Sequence, residues 1–262
     1  MDQRLRTRGI PEEVIRRATP ETKDALIRLS DYTPGPMERL DPDVAARIPA
    51  YRSAGVALPV FVGEDGHLHV ILTQRSSRLS SHGGDTALPG GRFELNDRSI
   101  EQTALKPNKT EVARIFSTPL EAFLYHIPPP ELERSMHIDA DEEHPAQTLT
   151  TGTNAPGPTP SVDPKESHWH TVYEVDWLGE RLRRHTFWDQ RNPIRGLTSE
   201  ILIRAAMIAF GRAPDFDVFH HMQPTQATMI HHAFVGPQRI AGYRVRPRVQ
   251  PVQDDPEPTP RL

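Results

Sequence analysis

Between Ile71 and Leu105 the backbone has to change regime several times in thirty-five residues. The run opens on an apolar strand end, Val70-Ile71-Leu72-Thr73. A polar loop follows, with Arg75, Ser76, Ser77 and Ser80. Next come His82-Gly83-Gly84-Asp85, the short apolar run Thr86-Ala87-Leu88, and the turn Pro89-Gly90-Gly91. Last are three spaced carboxylates, Glu94, Asp97 and Glu101. Paired glycines allow a tight turn and a close approach of backbone to a neighbour or ligand. Pro89 fixes φ just before one pair. Ser99 followed by Gln102 has capping-box spacing and predicts a helix start. Carboxylates beside such a start suit a hard cation such as Mg²⁺, which takes oxygen ligands. A Gly-rich hairpin and a solvated acidic turn would account for each feature taken singly.

In combination and in order, these features resemble the Nudix hydrolases, and among them the coenzyme A diphosphatases. The matching pieces are Ile71-Leu72-Thr73-Gln74-Arg75-Ser76, His82-Gly83-Gly84-Asp85, Leu88-Pro89-Gly90-Gly91, and Asp97 through Thr103-Ala104-Leu105. An ordered set of this length is more specific than a lone glycine motif. The resemblance covers roughly residues 50–126 and 168–212. It implies an α/β fold of the mixed α+β kind, with a mixed sheet between helices. It implies cleavage of the diphosphate of coenzyme A or its derivatives to 3′,5′-ADP and (acyl-)phosphopantetheine, with Mg²⁺ or Mn²⁺ as cofactor. Arg75, Ser76, Ser77, His82, Gly84, Gly90 and Gly91 would then bind substrate, and Asp97, Glu94 and Glu101 would approach the metal.

The chain departs from the family pattern directly after Leu105. Where the family continues into a glutamate-rich helix, this sequence reads Lys106-Pro107-Asn108-Lys109-Thr110-Glu111-Val112. That segment resembles the family again, from a point further downstream. The resemblance therefore implies that a few tens of residues are missing at the join, along with the glutamates that hold the metal. Glu111 is a weak candidate for a remaining catalytic carboxylate. Elementary physics points to the same place. A helix begun at Ser99 has only Ile100 to Leu105 before Pro107, and the residue before a proline is pushed out of the α region. Two functional readings follow: a metal-dependent diphosphatase, or a catalytically silent truncated isoform or ligand-binding pseudoenzyme.

Composition bounds the rest. The 262 residues are 36% hydrophobic and include 27 prolines, about double the usual share, so part of the chain is expected to lack a packed core. Net charge is −4, which gives no support for nucleic-acid binding, and there is no cysteine for disulfides or thiolate metal sites. No apolar run is long enough to span a bilayer. The N-terminus lacks a signal-peptide core. An intracellular location is expected, peroxisomal or cytoplasmic; the final Arg261-Leu262 suits a peroxisomal address, but Pro260 does not. The expected partner is a small molecule, with no nucleic acid and no membrane.

Three regions are expected: a helical lead-in and connector at 1–50, the Nudix-like domain at 51–212, and a low-order tail at 213–262. In the first, Pro20 splits two short amphipathic helices. In the second, Val56 to Val62 and Leu68 to Thr73 form a hairpin, Glu111 to Phe116 a strand, and Thr118 an N-cap for a helix reaching about His126. Residues 127–167 read as a disordered insertion. Trp169 to Trp177 and His185 to Trp188 are partner strands. Thr198 caps the clearest helix, with Ile201, Leu202, Ala205, Ile208 and Ala209 on one face and Gly211 as its stop. The pairs His220-His221 and His231-His232 read as solvated tail rather than metal ligands, and His168 and His170 as surface or sheet-edge residues. Trp169, Trp177 and Trp188 belong to the core or its rim.

Overall fold

The computed structural model describes residues 1–35, 39, 41–46, 48, 53–78, 83–94, 96–106, 112–136, 169–177, 180–189, 192–226 and 228–230. The architecture is mixed α/β, with helices around antiparallel sheets. Every strand pairing among the described residues is antiparallel, within the mixed α+β fold class that the sequence leads one to expect.

The lead-in forms α1 (Asp2–Arg6), α2 (Glu12–Arg17) and α3 (Pro20–Asp31). Pro20 separates α2 from α3 as predicted. The Thr19 side chain caps α3 by accepting from the Thr22 amide, and proline suits the first helical position, where the N–H is unpaired anyway. Leu5, Ile15 and Ile27 bury a small core of their own, while Ala25 joins the main core and α3 packs on the last helix. A short α4 (Pro42–Ala45) follows, capped by Asp41.

The sequence predicts one strand over Val56 to Val62, but two are present. β1 (Ala54–Val56) and β2 (Val60–Val62) are separated by Ala57-Leu58-Pro59. Pro59 has no N–H to donate, which suits a break between ladders. β2 pairs with β3 (Leu68–Arg75), as the predicted hairpin requires. β1 instead pairs with β5 (Gly90–Arg92). β3 is the central strand. It pairs β2 and β4 (Thr86–Ala87) along one edge and β6 (Val112–Pro119) along the other. Thr118 is therefore a strand residue opposite Val70, not a helix cap, and a 3₁₀ helix follows over Leu120–Leu124. Four of its five residues are buried, and the tight winding lets so short a segment turn side chains inward.

α5 (Ile100–Ala104) begins at Ser99, whose hydroxyl accepts from the Gln102 amide, as the capping spacing predicts. The reciprocal bond runs from the Arg98 amide to Gln102. The helix is five residues long, and residues 107–111 lie outside the described part.

The second sheet is β7 (His170–Trp177), β8 (Glu180–Asp189) and β9 (Asn192–Arg195). α7 (Leu197–Phe210) closes the fold and ends on left-handed Gly211. Its start is two residues earlier than predicted. Gly196 occupies the cap at φ 64°, and the Thr198 hydroxyl donates to the Thr86 carbonyl rather than capping. Leu202, Ile203, Ala205, Ala206 and Ala209 are buried. Phe123, Trp169 and Phe187 meet at the centre, and the Trp169 indole N–H donates to the Ala122 carbonyl at 3.1 Å.

Two regions are more ordered than the sequence predicts. Within 127–167, residues Pro130–Ser135 form α6, with Leu132 and Ser135 buried; the rest from 137 to 168 lies outside the described residues. Pro130 at the first helical turn starts this helix after the preceding prolines. The supposed tail also docks beyond Gly211. Phe216 and Val218 pack on the main core, and Asp215 accepts from the His126 amide at 2.6 Å and donates its own amide to the Leu124 carbonyl. His231 and His232 lie outside the described residues. No helix among the described residues is long and apolar enough to cross a membrane.

Candidate active site

β3 carries the first group of predicted site residues. At its end the Arg75 amide donates to the Asp85 carbonyl (2.9 Å), and the Gly84 amide donates back to the Arg75 carbonyl (3.0 Å). These two bonds close the loop that holds Ser76 and Ser77. Arg75 and Ser76 are half-buried, and Ser77 is exposed. The Ser76 hydroxyl turns inward on the loop and accepts from the Arg78 amide at 3.4 Å. His82 lies outside the described residues. Arg195, at the end of β9, reaches across to Asp85 (2.7 Å). The loop is thereby tied to the second sheet.

Gly90 and Gly91 sit on β5, against β1. Gly90 has φ 147°, and a Cβ there would stand 2.2 Å from the Gly55 carbonyl oxygen. Its lack of a side chain is required by the neighbouring strand. Gly91 faces open space. Above β1 lies α5, so close that a Cβ on Gly55 would meet the Ile100 carbonyl at 2.5 Å. The two elements bound an open depression of about 460 Å³, lined by Ala54, Val56, Ile100, Glu101, Ala104 and Leu105.

The three carboxylates lie on the loop between β5 and α5 and on α5 itself. Asp97 is fully occupied. Its Oδ2 accepts from the Glu94 amide (2.9 Å) and from the Thr103 hydroxyl (2.7 Å), while its Oδ1 contacts the Lys106 ammonium. Lys106 also holds Glu94 at 2.8 Å. The Lys106 contact, then the Glu94 and Thr103 hydrogen bonds, stabilise the Asp97 carboxylate and bring its pKa down to about 2. The pKa of Lys106 is raised by the same partners. Glu101 points elsewhere, and its carboxylate is held in the charged form by the Ser99 hydroxyl. Glu111 lies outside the described residues. Among the described residues no three His, Asp or Glu side chains gather where they could hold a metal ion. The residues present do not fit Mg²⁺, since the two nearest carboxylates already close around an ammonium.

No family model matches the chain. Over 186 residues, 63% of this chain, it is 32% identical to Nudix hydrolase 15, mitochondrial, of Arabidopsis thaliana, covering 61% of that protein. Over 182 residues it is 33% identical to Nudix hydrolase 22, chloroplastic, of the same plant, again 63% of this chain and 58% of the relative. Its relatives are Nudix hydrolases. A shorter match of 64 residues, 24% of this chain, is 34% identical to peroxisomal coenzyme A diphosphatase 1 of Saccharomyces cerevisiae (strain ATCC 204508 / S288c), covering 19% of that protein. The chain spans about three-fifths of the length of the two Arabidopsis Nudix hydrolases.

Three features were not visible from the sequence pattern. Lys106 is the partner of both Glu94 and Asp97; a lysine nine residues from an aspartate has no helical or strand period to announce it. Arg195 anchors the Asp85 turn from the far end of the chain. The third is a histidine chain: His126 Nδ1 to His170 Nδ1 (3.1 Å), His170 Nε2 to His185 Nδ1 (2.9 Å), and His185 Nε2 to the Val218 carbonyl (2.8 Å). His170 is 1% exposed, so it is a core residue and not a sheet-edge one. The fixed acceptor at Val218 orders the tautomers. His185 donates from Nε2, His170 donates from Nε2 to His185, and His126 donates from Nδ1 to His170. Burial, aided by the neighbouring His185 and His126, lowers the pKa of His170 to about 3.

Proposed function

We propose that the chain carries the substrate-recognition part of a Nudix diphosphatase whose substrate is coenzyme A or an acyl derivative. One observation supports this above all: the ordered run from Ile71 to Leu105, which keeps the loop, the glycine turn and the helix start in sequence. The similarity to Nudix hydrolases supports the family reading, and the short match to a coenzyme A diphosphatase supports the substrate. The reaction adds water across the P–O–P bridge and yields 3′,5′-ADP and (acyl-)phosphopantetheine. In this reading Arg75, Ser76, Ser77 and the Gly84 turn face the phosphates, since a guanidinium and hydroxyl donors suit phosphoryl oxygens. Gly91, open on its side, lets the ligand approach the backbone, and His82 is counted among the binding residues on the resemblance alone. The substrate is a small molecule, and a peroxisomal or cytoplasmic setting fits it.

The metal-dependent step belongs to the acidic helix that this chain lacks after Leu105. The described carboxylates do not assemble a cage for Mg²⁺ or Mn²⁺. The chain as it stands is therefore read as a binder that turns over poorly, the truncated or pseudoenzyme form. The test compares this chain with a version carrying a full acidic Nudix helix after Leu105. Both are given coenzyme A with Mg²⁺, and binding and product formation are measured separately. Binding by both and turnover by the extended version alone is expected. Comparable turnover by both overturns the loss of the metal site, and no binding by either overturns the substrate.

A further inference from the structure

We infer that Lys106 is the built-in counter-ion of the Glu94–Asp97 carboxylate pair and keeps divalent metal out of it. The Nudix reading supplies the expectation of a metal here, and the inference rests on that reading for its interest but not for its geometry. The Asp97 carboxylate is completely buried, whereas the Lys106 side chain is 35% exposed and that of Glu94 71%. A buried carboxylate is tolerated only when paired and hydrogen-bonded, and Asp97 has both kinds of partner. Two donors hold Oδ2, and the ammonium covers Oδ1 while bridging to Glu94 Oε2.

The shortness of α5 puts the ammonium there. Thr103, inside the helix, fixes Asp97 from below. The chain leaves the helix at Leu105, and the Lys106 amide still bonds the Thr103 carbonyl at 3.3 Å. One turn of helix thus carries residue 106 back over residue 97. A Mg²⁺ ion at this spot would have to displace the ammonium, shed its own water, and find near-octahedral oxygens at about 2.0–2.1 Å. Both Asp97 oxygens already face donors, Oδ1 being held by the ammonium alone, and Glu94 supplies the second carboxylate. An ammonium meets this geometry with its contacts to the two carboxylates and one charge, and needs no such coordination shell.

The experiment is a Mn²⁺ titration of the full chain, with free Mn²⁺ read by electron paramagnetic resonance. The samples are the chain as it is, E94Q, K106R, K106M, and K106M combined with E94Q. The parent and K106R are expected to bind Mn²⁺ only in the millimolar range. K106M, which leaves the pair uncompensated, is expected to bind about tenfold more tightly or better, with a melting temperature that rises on Mn²⁺ addition. E94Q added to K106M is expected to abolish the gain. Micromolar binding by the parent that E94Q removes overturns the inference, and this arm needs no folded lysine variant. A folded K106M that binds no better than the parent also overturns it. Since coenzyme A is absent throughout, failure of the substrate reading leaves these outcomes intact.

Discussion

Gly90 and Gly91 look equivalent as letters, yet their surroundings assign them different work. Gly90 combines φ 147° with a strand backbone 2.2 Å from where a Cβ would stand. Gly90→Ala is expected to destabilise the fold by about 2–4 kcal/mol, because both strain and clash apply. Gly91→Ala meets nothing within 4 Å and should change stability by no more than about 0.5 kcal/mol. Urea unfolding of the two variants checks both. Coenzyme A titration of Gly91→Ala adds the functional half: loss of binding without loss of stability is expected if the ligand passes over this turn.

At the level of elements, the histidine chain fastens the segment after α7 to the second sheet. Phe216 lies against the rings of His170 and His185, and Val218 accepts from His185. His185 is also pushed down, by burial first, and Arg183 and Arg184 beside it act in the same direction. The other groups facing the chain are His126 and, across the aromatic side, Phe187. Both buried rings are therefore neutral in the fold and take protons more readily when released. The contribution of His170 to stability is complete above the ordinary histidine value of about 6.5 and is lost as pH falls toward about 3, and that of His185 weakens in the same direction. From pH 7 to pH 5 the loss through His170 alone is expected to be about 2 kcal/mol. Amide hydrogen exchange across Asp215 to Gln223 checks this: once rates are corrected for the intrinsic slowing of exchange at lower pH, protection factors are expected to be smaller at pH 5 than at pH 7. Protection that is unchanged would mean the segment is held by Phe216 packing alone.

At the scale of the whole molecule, polar side-chain contacts tie the turn around β4 to the end of the second sheet and to the start of α7. Arg195 to Asp85, at 2.7 Å with both side chains partly buried, is one of them, and Thr198 to the Thr86 carbonyl is another. Arg195→Met should cost about 1–3 kcal/mol, since it removes a close guanidinium from a partly buried carboxylate. In a double-mutant cycle with Asp85→Asn, the second change should add little once the first is made. Chemical denaturation of the four proteins measures the coupling. Additive losses would show that the two residues act independently and that apolar packing of α7 alone joins the sheets.

Where the pattern was local, the residues alone sufficed. Pro20 divides α2 from α3, Ser99 and Gln102 mark the start of α5, and the alternation over Trp169 to Trp177 marks β7, whose partner placed at His185 to Trp188 is the later part of β8. Caps, proline breaks and hairpins depend on neighbours a few residues apart, so their physics is written in the order of residues. The split between β1 and β2, the docking of Phe216, and the buried state of His170 are different. Each depends on what the rest of the chain brings alongside, as β5 is brought to β1. The candidate site divides the same way. Its loop and glycine turn were legible as an ordered run, but the Lys106 clasp on Glu94 and Asp97 was not. A charge finds its partner through the path of the folded backbone, and only the closed structure shows which cation reaches a buried carboxylate.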